Sequence, residues 1–80
     1  MSGKDEYFEL EPVEAIRELT DGLNSPLGTP MRTGIFKIRD ADEIQVDLVK
    51  ALAEKISQKG DNKVTAIDRA EGFGVTYRVE

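Results

Sequence analysis

The chain of 80 residues contains no cysteine, no histidine and no tryptophan. Without cysteine there is no disulfide, no thiolate nucleophile and no zinc site with sulfur ligands. Without histidine the commonest general base and metal ligand is missing as well. Any catalysis would fall to carboxylates, lysine, tyrosine or serine. Glycoside hydrolysis by paired carboxylates is one chemistry left open, but a chain this short can hardly enclose a sugar cleft. The expectation is a protein that is not an enzyme and that uses no cofactor and no metal. Long apolar runs are lacking too: none approaches the ~20 residues of a membrane span. The opening Met1-Ser2-Gly3-Lys4-Asp5-Glu6 has no apolar core of a secretory signal. No membrane contact is expected, and the default compartment is the cytoplasm.

What is present describes a small globular protein. Hydrophobic residues make up 39% and charged residues 34% of the sequence, too many aliphatics for a disordered chain. One domain covering 1–80 is expected, with 1–6 flexible. At this length only about 60% of the unfolded chain's surface is buried on folding, so every apolar stripe has to be used.

The net charge of −5 is unevenly placed. Residues 1–21 hold seven acids (Asp5, Glu6, Glu9, Glu11, Glu14, Glu18, Asp21) and two bases (Lys4, Arg17), whereas residues 22–80 hold nine of each sign. An acidic edge around the first helix is expected, with the rest balanced or locally basic.

The strongest local signal runs from Asp40 to Gly60. Ile44, Leu48, Leu52 and Ile56 recur every four residues and predict an amphipathic helix that needs a sheet to cover. Asp40 with Glu43 reads as its capping box and Gly60 as its left-handed stop. Before it, Tyr7-Phe8-Glu9-Leu10 alternates as a short strand. Pro12 opens a first helix expected to end at Asp21, with Gly22 as terminator and Val13, Ile16, Leu19 and Leu23 on one face. The stretch 23–34, with two prolines and two glycines, reads as a long loop. It is either a spacer or a binding loop presenting Met31, Arg32 and Thr33. Ile35 to Arg39 alternates as a strand, and Lys63–Ala70 and Gly74–Glu80 form two more, joined at Glu71-Gly72-Phe73-Gly74. The order is β-α-β-α-β-β. The fold class expected is α+β, with two helices packed on one face of a three- to four-stranded mixed sheet.

Three constellations could carry chemistry. Asp40, Asp42 and Glu43 cluster as a cation site would, but acids gather at helix starts for capping, and the spacing of a calcium loop is absent. Gly72-Phe73-Gly74 is glycine-rich as a phosphate loop is, yet joins two strands instead of opening a helix. The dense N-terminal acid reads as a solvated helix face. The open face of the sheet is more informative. If Phe36, Ile38, Val75, Tyr77 and Val79 point to the helices, alternation sends Ile35, Lys37, Arg39, Thr76 and Arg78 outward, joined in one hairpin register by Thr65, Ile67 and Arg69. The candidate partner-binding residues are Arg32, Ile35, Lys37, Arg39, Arg69 and Arg78.

The element order, with both helices on one face, resembles the TusA-type sulfur-carrier family. That family's Cys-Pro-x-Pro signature lies where strand 1 meets helix 1. Here the junction reads Glu9-Leu10-Glu11-Pro12-Val13, so Pro12 matches and Glu9 stands at the place of the sulfur-carrying cysteine. Val64 to Glu80 is similar to the family's final hairpin. The resemblance implies the fold without the activity. The leading expectation is an interaction or regulatory domain for a macromolecular partner, a protein before a nucleic acid, through the open face or the 23–34 loop. Alternatives are a nucleic-acid-binding module on the basic face and a sulfur-carrier-like scaffold without chemistry. The charge layout adds weak head-to-tail self-association, sensitive to salt.

Overall fold

The computed structural model describes residues 7–68 and 74–80. Residues 1–6 and 69–73, which include Arg69 and most of the expected hairpin turn, lie outside the described residues. The elements follow as β1 (Tyr7–Leu10), α1 (Pro12–Asn24), β2 (Gly34–Ile38), α2 (Glu43–Lys59), β3 (Val64–Asp68) and β4 (Val75–Val79). They form the expected two-helix, four-stranded mixed sheet, in spatial order β1-β2-β4-β3. β1 lies parallel to β2, and β4 runs antiparallel to both β2 and β3. α2 thus carries the chain past one vacant strand position, which β4 returns to fill.

The sheet's alternation decides what is buried. Phe8, Phe36 and Tyr77 occupy one cross-strand row and point to the helices. Their rings stack at centroid distances of 5.0 and 4.8 Å. Ile38, Val64, Val75 and Val79 share that face with Ala15 and Leu19 of α1 and Val49, Leu52, Ala53 and Ile56 of α2. These make the core, which the helices close from one side. The molecule is thin, 34 × 33 × 17 Å, as two layers require.

Both helices differ from the expectation, each for a geometric reason. In α2 the buried row is Val49, Leu52, Ala53 and Ile56, while Ile44 and Leu48 are exposed. A strict four-residue repeat rotates about 40° per step, so a row from 44 to 56 turns through about 120° and cannot keep one interface. Its cap is Asp42, not Asp40. The Asp42 carboxylate accepts from the Gln45 N–H at 2.8 Å and the Gln45 side-chain oxygen accepts from the Asp42 N–H at 3.0 Å. Asp40 instead sits in the turn at φ 56°. Gly60 ends α2 in the left-handed region as expected.

α1 continues three residues beyond Asp21, to Asn24, and Gly22 is one of its buried contacts. A Cβ at Gly22 would come within 2.5 Å of the Met31 sulfur, so the glycine lets the loop lie against the helix. The last carbonyls need no glycine stop, because Lys59 Nζ donates to Gly22 O at 2.9 Å and also to Ser25 O. Ala15 and Leu19 carry the buried face, and Val13, expected in the core, is exposed.

The loop that follows is held by the start of the β3 approach. The Asp61 carboxylate accepts from Gly28 N at 3.0 and 3.2 Å. Asn62, buried, accepts from Met31 N at 2.8 Å and donates to Glu80 O at 3.0 Å. Met31 packs against the core.

Candidate functional site

Among the described residues, the face of the sheet away from the helices has no second layer. Its membership follows from the register. Tyr7 is opposite Ile35, Ile35 opposite Arg78, and Arg78 opposite Thr65. One row on, Glu9 is opposite Lys37, Lys37 opposite Thr76, and Thr76 opposite Ile67. The β3–β4 register is thus the one that brings Thr65 and Ile67 to this face.

Apolar side chains stand at its two edges. Tyr7 on β1 is 60% exposed and Ile67 on β3 is 53% exposed. Between them the surface is better filled. Ile35, Lys37 and Arg78 are half-buried, and Thr76 is nearly covered between its partners Lys37 and Ile67. The Lys37 ammonium lies 4.8 Å from the centre of the Tyr7 ring, a cation–π contact. Arg78 Nε lies 3.3 Å from Glu80 Oε2. Lys63 and Glu80 exchange backbone hydrogen bonds and extend the ladder by one pair. The described part of the face therefore carries Lys37, Lys63 and Arg78 with Glu9 and Glu80.

Of the six residues expected to contact a partner, Ile35, Lys37 and Arg78 come together here. Arg32 does not. It lies on the helix side, its guanidinium 4.2 Å from the Phe8 ring centre and 5.4 Å from that of Phe36, with Nη2 3.2 Å from Glu18 Oε2. The chain has already crossed to the helix layer at this point, so Arg32 caps the aromatic row. Arg39 follows the end of β2 in the turn before α2. It borders a depression of about 250 Å³ shared with Glu9, Leu10, Glu11, Pro12 and Asp40. Arg69 lies outside the described residues.

Two members of the face went unrecognised in the sequence, Tyr7 and Glu9. The signal was there: with Phe8 and Leu10 turned inward, the alternating residues must turn outward. Glu9 accordingly sits beside Lys37 and not on the acidic edge of α1, so the two signs of charge are less segregated than the sequence implies. Tyr7 puts an exposed aromatic ring on this face.

On the helix side, the Tyr77 hydroxyl is buried and has no hydrogen-bond partner. Burial raises its pKa well above the ordinary tyrosine value, and the nearby Glu18 charge adds to this while Arg32 opposes it. Among the described residues, no group of three acids is placed to hold a metal ion, and no helix is long and apolar enough to cross a membrane. Comparison with known protein families, with characterised proteins and with solved structures gives no match for this chain.

Proposed function

We propose that this chain is a small cytoplasmic interaction domain without catalytic activity, which binds an acidic segment of a protein partner on the open face of its sheet. The observation that carries the reading is the placement of Tyr7 and Ile67 at opposite edges of an uncovered surface whose centre holds Lys37 and Arg78. Aromatic and aliphatic anchors supply most of the energy of a protein interface, and tyrosine does so at small cost in side-chain entropy. The cations select the sign of the partner and speed its approach. The remaining alternative for the partner's seat, the 23–34 stretch, is tied to Asp61, Asn62 and Lys59 and has fewer groups to offer.

The test is capture from extract of the native organism, comparing wild type with the double variant Lys37→Glu/Arg78→Glu and with Tyr7→Ser/Ile67→Ser. A protein retained by the wild type and lost from both variants is the expected outcome. Retention by both variants overturns the assignment of the face.

A second reading is favoured by Tyr7 itself. An exposed aromatic beside two cations can stack a base while the cations neutralise phosphates. The overall charge of −5 opposes it. Fluorescence anisotropy with a single-stranded oligonucleotide separates the two: binding that weakens steeply with salt and is lost in Tyr7→Ser supports nucleic acid, and no binding at low salt removes it.

A further inference from the structure

β3 is an edge strand of the sheet, and its outer edge is only partly closed. Lys63 and Glu80 exchange both backbone hydrogen bonds, at 3.3 and 2.9 Å, which fixes the phase of the β3–β4 ladder. By alternation Thr65 and Ile67 also turn their N–H and C=O groups to β4, while Val64, Ala66 and Asp68 turn theirs outward, to the free edge. At Val64 those groups are taken. The Ser57 hydroxyl of α2 accepts from Val64 N at 2.8 Å and donates to Val64 O at 3.0 Å, meeting both groups as the next strand of a sheet would. Ser57 thus plugs the edge where β3 begins. Further along, among the described residues, no hydrogen bond reaches the outward groups of Ala66.

The stretch left open, Ala66 to Asp68, lacks the usual edge defences: it holds no proline, no lysine and no bulge in its pairing with β4. At its middle stands Ile67, 53% exposed on the open face. This window matches itself. When two copies of β3 run antiparallel about a two-fold axis at Ile67, Ala66 falls opposite Asp68 of the copy on each side of the axis. The outward groups of these residues exchange a pair of hydrogen bonds on each side, and Ile67 meets Ile67 of the copy as the close pair between them. The neighbouring two-fold registers fit less well. Centring on Thr65 or Ala66 brings Val64 into the pairing, where Ser57 already holds its groups. Centring on Asp68 sets that residue opposite itself, and like charges directly opposite are destabilising.

We infer that β3 pairs with β3 of a second copy of this chain, antiparallel about Ile67, joining two sheets into one. The axis stands perpendicular to the sheet, so both open faces lie on the same side of the joined sheet. A few backbone hydrogen bonds and one apolar pair make a small contact, and the dimer belongs to the weak, reversible class.

The full chain is followed by sedimentation equilibrium from about 10 μM to about 1 mM, a range suited to so small a contact. The mean mass is expected to rise with concentration from 8.9 kDa toward twice that value. Ala66→Pro removes an N–H that faces away from β4, so the ladder within the chain keeps its bonds and half of those between copies are lost. An association constant lower by about tenfold or more is expected. Because the chain has no cysteine, single cysteines report the register. A close pair has Cα atoms about 4.5 Å apart, within the span of a disulfide, so Ile67→Cys is expected to cross-link when oxidised glutathione takes up the thiol electrons. Thr65→Cys lies on the same face but about 13 Å from its copy in this register, and stays unlinked. A mass of 8.9 kDa at every concentration overturns the proposal, as does undiminished association of a folded Ala66→Pro or equal cross-linking at the two positions. Should Ala66→Pro fail to fold, which its amide dispersion reports, the cysteine pair decides.

Discussion

Tyr77→Phe removes one oxygen atom from the middle of the core and tests the structure where its packing is tightest. The Tyr77 side chain is fully buried, its ring stacked 4.8 Å from Phe36, and its hydroxyl meets no partner. A buried polar group without a hydrogen bond costs about 1–3 kcal/mol, whereas Phe keeps the ring and the stacking. The variant should therefore be more stable at neutral pH by about 1 kcal/mol or more, a rise in melting temperature of roughly 4–8 °C for each kcal/mol in a chain of this size. Urea unfolding gives the same quantity independently, with a midpoint higher by roughly 0.3–1 M per kcal/mol. A second signature lies in alkali. Burial raises the folded pKa of Tyr77 above the model-compound value of 10.0, so above that pH the unfolded chain has released a proton that the folded chain retains. Stability attributable to this group is complete below pH 10 and falls as pH rises toward the folded pKa, by up to about 1.4 kcal/mol per pH unit. The gap between variant and wild type should widen accordingly from pH 10 to pH 11. If Tyr77→Phe is instead destabilised by about 1 kcal/mol or more, the hydroxyl is hydrogen-bonded, and the packing of the row that sets the sheet's two faces is not as described.

Five further variants have definite expected outcomes. Asn62→Ala leaves Met31 N without its partner and removes one of the two donors to Glu80 O, which keeps Lys63 N, and should cost about 1–2 kcal/mol by urea unfolding. Gly74→Ala places a Cβ 2.7 Å from the Ala41 backbone nitrogen, which cannot step aside, and should cost about 1–3 kcal/mol. Asp42→Ala should lose about 1 kcal/mol of helix capping, while Asp40→Gly, at a left-handed position, should be neutral or stabilising by up to about 1 kcal/mol; the reverse order returns the cap to Asp40. Lys37→Glu/Arg78→Glu should change stability by less than about 1 kcal/mol per site, since both are partly solvated. Unfolding of that double variant means the open face is covered or its charges are integral to the fold.

The fold was legible because its signals are periodic and redundant. Strand alternation in Phe36-Lys37-Ile38 and Val75-Thr76-Tyr77-Arg78-Val79 assigned faces correctly. A helix on each side of β2 then leaves few two-layer arrangements. The details that escaped depend on partners distant in sequence. α1 outlasts Gly22 because Lys59 caps it from another helix, and Gly22 itself is chosen by Met31. The cap fell on Asp42 because Asp40 is needed in the turn, a choice among three nearby acids that local chemistry does not settle. For the site, Ile35, Lys37 and Arg78 were read from alternation alone. The position of Arg32 was not legible, because a loop residue has no parity and nothing local reveals that it folds over Phe8. Tyr7 and Glu9 were missed because a four-residue edge strand takes its face from the neighbour it pairs with.

The central claim is that the open face, not the helix layer or the 23–34 loop, seats the acidic partner. Its most direct test is an amide-shift map of the labelled chain saturated with the partner recovered by capture. Perturbations centred on Tyr7, Ile35, Lys37, Thr76, Arg78 and Ile67, with Leu27, Thr33 and the α1 and α2 amides unmoved, are the predicted result. A map centred on the 25–33 stretch or on α1 and α2, with the β2 and β4 amides undisturbed, contradicts it.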